Sequence, residues 1–431
     1  MRRAPKPSRD APAAAAPQRK RRALSHVGGA VELHVGSPEQ GAALSHALDV
    51  GPDEAAVMAH IHGFHPYPAR LHPLTASRVI AAMTEPGARV LDPFCGSGTV
   101  LAEARMLGRR AIGVDANPLA IELAWLKTRG AEAAECEALV EAAKAVAEHA
   151  DQRRRKRSGP TKPYGRADRD LFDAHVLLEL DGLRDGIQKL PDGFERRALL
   201  LVLSSLFTKV SRRRAETTGY HQEKRLAGGF VLRFFGEKAR DLAKRLGAYQ
   251  ALLPERAPAV ELAVGDARRL DHVRPRSVDL VLTSPPYPGV YDYVDQHAAR
   301  LRWLGLSTHR FERAELGARR RYARLGHERA LDAWRSELGP CLDQMAQRLA
   351  PGGAAVLVIA DSVLGGRAVQ ADEILAELAP RSRLHIAAHV SQARPHFHAP
   401  TARAFTRRPR REHVVVLKAQ GTRRARGDHN A

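Results

Sequence analysis

Between Ala88 and Asp115 the chain reads as one unit that constrains the whole fold. Ala88 to Leu91 is a short apolar run ending at Asp92. The turn Phe94-Cys95-Gly96-Ser97-Gly98-Thr99 leads into a helix over Val100 to Leu107, and Arg110 to Val114 reads as a second strand ending at Asp115. Strand, turn, helix and strand at this spacing form a βαβ unit, which requires a parallel sheet covered by helices. Leu74 to Met83 reads as a helix preceding it. The glycines let the backbone approach a ligand closely, and the helix N-terminus offers unpaired N–H groups. A dinucleotide fingerprint needs Gly or Ala three residues after Gly98, where this chain has Leu101. No Gly-Lys-Ser/Thr follows, so the turn is not a P-loop. Asp115 stands where a carboxylate can hold both hydroxyls of a ribose.

The strand pattern then stops and resumes far along the chain. Residues 118 to about 256 read as mainly helical and basic, with candidates at Ala131–Ala150, Leu171–Leu190, Phe194–Phe207 and Val231–Tyr249. Asp151–Pro163 reads as a charged link. Strands reappear at Val260–Val264 and Val278–Leu282. A helical stretch runs through Leu349, Pro351-Gly352-Gly353 forms a turn, and Ala354–Ala360 is a fully apolar strand. Leu384–Val390 and His413–Leu417 are expected to pair as a hairpin at the sheet edge. The expected organisation is a basic disordered tail over 1–25, a first part of the sheet domain over 60–125 and a helical insertion over 126–256. A second part over 257–418 and a basic tail over 419–431 complete it.

Lys plus Arg number 69 and Asp plus Glu 48 among 431 residues, a net charge of +21, which favours polyanionic partners. Hydrophobic residues make up 44%, as in a folded protein. Cys95, Cys136 and Cys341 form no CxxC pair, so neither a disulfide framework nor a cysteine zinc site is expected. No run of about 18 apolar residues occurs, and no long apolar stretch follows the basic N-terminus, so the expectation is a soluble, cytoplasmic chain.

The second informative segment is Thr283-Ser284-Pro285-Pro286-Tyr287, directly after the strand Leu280-Val281-Leu282. Two prolines after a strand fix the backbone and remove N–H donors, leaving carbonyl acceptors. A hydroxyl before them and an aromatic ring after them suit a planar ring that bears an amine. Together, Asp92–Thr99 and Ser284–Tyr287 resemble the cofactor loop and the catalytic tetrapeptide of class I S-adenosylmethionine-dependent amino-methyltransferases of nucleic acids. Phe64-His65-Pro66-Tyr67-Pro68-Ala69-Arg70 is similar to the segment that closes over the methionine end in those families.

The resemblance implies a Rossmann-like class I methyltransferase sheet with a helical insertion and disordered basic tails, and S-adenosyl-L-methionine as cofactor. Asp92, Gly96, Gly98 and Thr99 would cradle its methionine part, with Phe94 and Tyr67 packed against it. Asp115 would bind the ribose and Asp266 would sit near the adenine amine. Ser284 and the Pro285 carbonyl would accept hydrogen bonds from the target amino group, Pro286 would stiffen the turn and Tyr287 would stack on the base. Serine in the first place resembles the cytosine-N4 branch of site-specific, restriction-modification DNA methyltransferases rather than the adenine-N6 branch, and favours DNA over RNA. The alternatives are an RNA amino-methyltransferase, acting on tRNA or rRNA, and a non-catalytic nucleic-acid-binding relative.

Lys209, Arg212, Arg213 and Arg214, followed by Tyr220, Lys224 and Arg225, form a basic loop read as a backbone-phosphate contact. Arg319-Arg320-Arg321-Tyr322 reads the same way, and Tyr291 and Tyr293 are candidates for the base pocket. His62, His65 and His72 lack carboxylate or thiolate partners at ligand spacing, so helix capping or packing is expected and no metal site.

Overall fold

The computed structural model describes residues 28–51, 55–215, 218–221, 225–394 and 402–420. The tail expected at 1–25 lies outside them, as do residues 421–431 of the tail expected at 419–431, whose Ala419 belongs to β12. In chain order the strands are β1 (Val31–Val35), β2 (Arg89–Asp92), β3 (Arg110–Asp115), the short pair β4 (Arg213–Ala215) and β5 (Thr218–His221), β6 (Val260–Val264), β7 (Val278–Thr283) and β8 (Leu349–Ala360). The short β9 (Ser362–Leu364) and β10 (Arg367–Val369) follow, then β11 (Leu384–Ala393) and β12 (Arg411–Ala419).

The central sheet has the order β1-β11-β12-β8-β7-β2-β3-β6. β6, β3, β2, β7 and β8 run parallel, whereas β12 lies antiparallel to both β8 and β11. A parallel block with the reversed β12 inserted between β8 and β11 is the class I methyltransferase sheet expected from the resemblance; β1 adds a second reversed strand outside β11. Successive residues feed opposite faces, as pleating requires. Leu91, Val281 and Leu357 join one apolar core, while Val90, Leu280 and Val356 join the other. Both faces are therefore covered, which is why these strands are continuous apolar runs in the sequence.

The helix Thr99–Met106 carries the chain from β2 to β3, and Pro118–Arg129 from β3 onward. Helices Ala133–Arg155, Ala174–Gln188, Phe194–Val210 and Phe230–Gln250 build a third core around Leu139, Leu180, Val202, Phe235 and Leu246. Buried Glu179 accepts the N–H groups of Gly229 and Val231, so a carboxylate closes the N-terminus of the last of these helices.

Three expectations are corrected. Ala133–Arg155 continues five residues past Ala150, into the first part of the charged link expected over Asp151–Pro163, because Arg154 and Arg155 both pair with Asp151 one turn back. Pro351-Gly352-Gly353 is not a turn before β8 but a bulge inside it. Val278 faces Leu349 while Leu280 already faces Ala354, and Gly352 takes a φ of +84°. β11 and β12 do pair, yet not at the edge: β12 lies against β8, and β1 covers the outer side of β11. β1 escapes sequence reading because four of its five residues are exposed and no alternation marks it.

Candidate functional site

The ends of β2, β3 and β7 converge on one cleft, lined by Tyr67, Phe94, Gly96, Asp115, Asn117, Ser284 and Pro286. A wider cleft adjoins it, sharing Tyr67, Ser284 and Tyr293 and adding Thr99, Pro285, Tyr287, Tyr291, Arg394 and Arg410. Ser284 thus stands at the junction of the two.

The loop after β2 is held by two carboxylates. Asp115 Oδ2 accepts the Gly96 N–H and Oδ1 the Asn117 N–H, both at 2.8 Å. Burial lifts the Asp115 carboxyl to about 6, against the pull of those two hydrogen bonds. Each oxygen keeps a further lone pair, and the residue faces the cleft. Asp92 is placed differently. Its Oδ1 accepts the Phe94 N–H at 3.1 Å and the Thr283 hydroxyl at 2.6 Å, so it ties the end of β2 to the end of β7 from beneath the loop. It does not line either cleft, and burial raises its carboxyl to about 7.

The two glycines also separate. Gly96 has φ +49°, and a Cβ there would stand 3.4 Å from the Tyr67 ring, on the cleft wall. Gly98 has φ +84°, and its Cβ would fall 2.9 Å from Ala124 Cα, inside the contact with helix Pro118–Arg129. Its missing side chain admits a helix rather than a ligand. Between them, Ser97 Oγ accepts from Lys127 Nζ at 2.8 Å; that lysine is fully buried, and desolvation lowers its ammonium well below the ordinary range.

Tyr67 is clamped in place. Its ring stacks on buried His297 at 4.9 Å and 7°, and Asn117 Nδ2 donates to its hydroxyl at 3.3 Å. Asn117 also caps helix Pro118–Arg129 through the Leu119 N–H, and the sequence reading missed it; an Asn-Pro pair directly after a strand was the available signal. Phe311 and Glu315, also missed, close the narrow cleft from a segment that no local pattern ties to it.

Ser284 Oγ lies 3.3 Å from the Tyr287 hydroxyl, while Pro285 between them is buried. Burial raises the Tyr287 phenol, so it stays protonated. Tyr293 lines both clefts and Tyr291 the wider one. Asp266 accepts from the Arg268 guanidinium at 2.6–3.0 Å, and its neighbours Gly265 and Ala267 line the narrow cleft. An arginine two residues away satisfies the carboxylate locally.

The basic segments are likewise engaged. Arg212 donates to Asp173 from Nε at 2.9 Å and from Nη2 at 2.6 Å. Arg319 pairs with Asp292, Arg320 with Asp295 and Glu315, and Arg321 with Glu337. Lys209 is exposed. The backbones of Arg213 and Arg214 form β4 but their side chains lie outside the described set, as do those of Tyr220 and Lys224. Arginines that already hold carboxylates make weaker phosphate sites than a count of charges suggests.

Of the three histidines, His72 caps helix Pro73–Met83 through the Leu74 N–H and His65 bonds Ser204. His62 Nε2 meets Glu103 Oε1 at 2.8 Å, a carboxylate partner that only the fold supplies, and His60 lies beside them. Among the described residues no helix is long and apolar enough to cross a membrane.

Comparison with a protein-family model matches the part of the chain that carries this loop. Residues 47–125 match a family described as DNA methylase. The Type II methyltransferase M2.DpnII of Streptococcus pneumoniae is 49% identical over 47 residues, 11% of this chain and 18% of that protein. The Type II methyltransferase M.MjaII of Methanocaldococcus jannaschii is 34% identical over 68 residues, 16% of this chain and 13% of that protein. The chain therefore aligns with less than a fifth of the length of either relative. A SAM-dependent methyltransferase of Geobacter sulfurreducens, solved with S-adenosyl-L-homocysteine, is 12% identical with a TM-score of 0.31, over 90% of this chain and 100% of that one. The fold assignment rests on strand order rather than on that overlap. The segment matched by the DNA methylase family, residues 47–125, carries the loop and the Asp115 carboxylate of the narrow cleft.

Proposed function

We propose that this chain transfers a methyl group from S-adenosyl-L-methionine to the exocyclic amino group of a base in DNA, with cytosine N4 preferred over adenine N6. The observation that carries the reading is the position of Ser284, beside Tyr287 and at the junction of a loop-lined narrow cleft with a wider one.

The narrow cleft suits the cofactor. Asp115 offers buried acceptor lone pairs to ribose hydroxyls, Gly96 keeps the wall open, and Phe94 and Tyr67 supply apolar faces. When bound, the cofactor supplies an electrophilic sulfonium methyl. The protein's part is to make a poor nucleophile adequate. An exocyclic amine delocalises its lone pair into the ring; the Ser284 hydroxyl and the Pro285 carbonyl, accepting from its two hydrogens, would draw the nitrogen towards tetrahedral geometry and localise that pair. Tyr287 would hold the base by stacking. A duplex base would have to be flipped into the wider cleft, at a cost of a few kcal/mol of unstacking. The alignments to two Type II methyltransferases and to the DNA methylase family support DNA as substrate, and Ser284 supports cytosine N4.

The test is labelled-methyl transfer from S-adenosyl-L-methionine to DNA and to tRNA in parallel, followed by mass spectrometry of the nucleosides. N4-methylcytosine in DNA alone is expected. Transfer only to tRNA, or cofactor binding with no transfer to either, would overturn the assignment.

A further inference from the structure

A second group of chemically capable side chains lies on the reversed-strand side of the sheet. β11 and β12 pair with Ser391 opposite His413, which brings His389 and His413 diagonally together on one face. His389 Nε2 and His413 Nδ1 are 3.0 Å apart. His413 Nε2 meets Asp361 Oδ1 at 3.0 Å, both side chains being fully buried. Asp361 also accepts the Ala371 N–H at 2.9 Å and the Arg411 N–H at 2.8 Å, so it is held as an acceptor and takes the Nε2 proton of His413. The neutral ring then presents a lone pair at Nδ1, towards His389. Asp372 stands in the first turn of helix Ala371–Arg381. Its Oδ2 accepts from Arg408, whereas Oδ1 is buried with no hydrogen-bond partner. Ligand atoms of Asp372, His389 and His413 all lie within 4.8 Å of one another.

We propose that Asp372, His389 and His413 bind one divalent transition-metal ion of the zinc class, with Asp361 orienting His413. Two imidazole nitrogens and one carboxylate oxygen suit zinc or cobalt rather than magnesium or calcium, which take oxygen-only shells. A tetrahedral ion with bonds of about 2.0–2.1 Å sets its two ligand nitrogens about 3.3 Å apart, so the 3.0 Å pair needs to open only slightly. The carboxylate–imidazole–metal relay is the arrangement that fixes a ligating histidine's tautomer. Without metal, His389 donates its Nε2 proton to His413 Nδ1. With metal, that proton moves to His389 Nδ1 and both facing nitrogens become ligands, with no net change in protonation. The two flanking guanidiniums are balanced, Arg408 by Asp372 and Glu373, and Arg411 by Glu32.

The His60, His62 and Glu103 group is a poorer host. Glu103 already engages His62, the Nδ1 atoms of His60 and His62 have no orienting partner, and the cations Lys127 and Arg70 face the group. An ion on the first group would join β11, β12 and helix Ala371–Arg381, a structural task separate from methyl transfer.

The full chain, stripped by chelator, is titrated with Co(II) and then with Zn(II). Expected are one equivalent of Co(II) with the intense visible bands of tetrahedral coordination, displacement by zinc, and a raised Tm. Asp372→Ala, which alters a half-buried side chain, and His389→Gln should each weaken binding at least tenfold, while His62→Gln should leave it unchanged. Wild type that binds no cobalt overturns the proposal, whatever the variants do. Binding that survives Asp372→Ala and His389→Gln, or disappears with His62→Gln, overturns it equally.

Discussion

The two glycines of the loop after β2 should fail in different ways when given a methyl group. Gly98 sits at φ +84°, where an L-residue costs roughly 1–2 kcal/mol. Its new Cβ would also stand 2.9 Å from Ala124 Cα and 3.0 Å from Ala124 Cβ. Backbone on a packed helix cannot swing aside, so overpacking adds about 1–3 kcal/mol. Gly98→Ala should therefore cost about 2–5 kcal/mol, a large part of the roughly 5–15 kcal/mol that stabilises a typical protein. Gly96, at φ +49°, shares the conformational cost, but its Cβ would meet only the Tyr67 ring, at 3.4 Å. Gly96→Ala should cost about 1–2 kcal/mol and act mainly on cofactor affinity, because it narrows the cleft beside Asp115. The assay is the urea midpoint followed by circular dichroism, paired with calorimetric titration of S-adenosyl-L-homocysteine. Equal midpoints, or the larger loss at Gly96, would refute the division of the loop into a packing glycine and a cleft glycine.

Other perturbations bear on the same site and its support. Tyr287→Ala and Pro285→Ala should abolish methyl transfer while cofactor affinity stays within about threefold; a fully active variant would remove this turn from the chemistry. In the proposed reading Asp115, lifted to about 6, would serve ribose hydroxyls as a carboxylate, so cofactor affinity should be maximal above about pH 7 and fall as pH drops through 6, approaching tenfold per unit; Asp115→Asn should flatten that profile in calorimetry. Buried Asp92, lifted to about 7 against roughly 3.9 when unfolded, holds its proton longer in the folded chain. Its contribution to stability is thus fullest below about pH 4 and is lost as pH rises to 7, and Asp92→Asn should lessen the fall of the urea midpoint across that window. Glu179→Ala orphans the buried N–H groups of Gly229 and Val231, at about 1–3 kcal/mol each, and should lower the midpoint without altering cofactor affinity; an unchanged midpoint would show that the carboxylate does not close that helix.

Local sequence by itself determined the parallel block. The apolar runs of β2, β3, β7 and β8, the turn between Asp92 and Thr99 and the Pro-Pro turn after β7 are legible because burial on both faces and backbone restriction act through near neighbours. Strand identity and the adjacency of Ser284 and Tyr287 follow from that alone. Tertiary structure decided which side chain each group meets. Asp92 is drawn to Thr283, 191 positions away, and Gly98 makes room for Ala124. Arg212, Arg319, Arg320 and Arg321 find carboxylates on other elements, which spends charge that a count assigns to nucleic acid. Exposed β1 covers β11, and His389 and His413 meet only across a register that neither strand specifies alone. Hydrophobic periodicity is a local property and survives in one dimension. The pairing of a charge, a hydroxyl or an imidazole depends on distance in three, and spacing along the chain carries no record of it.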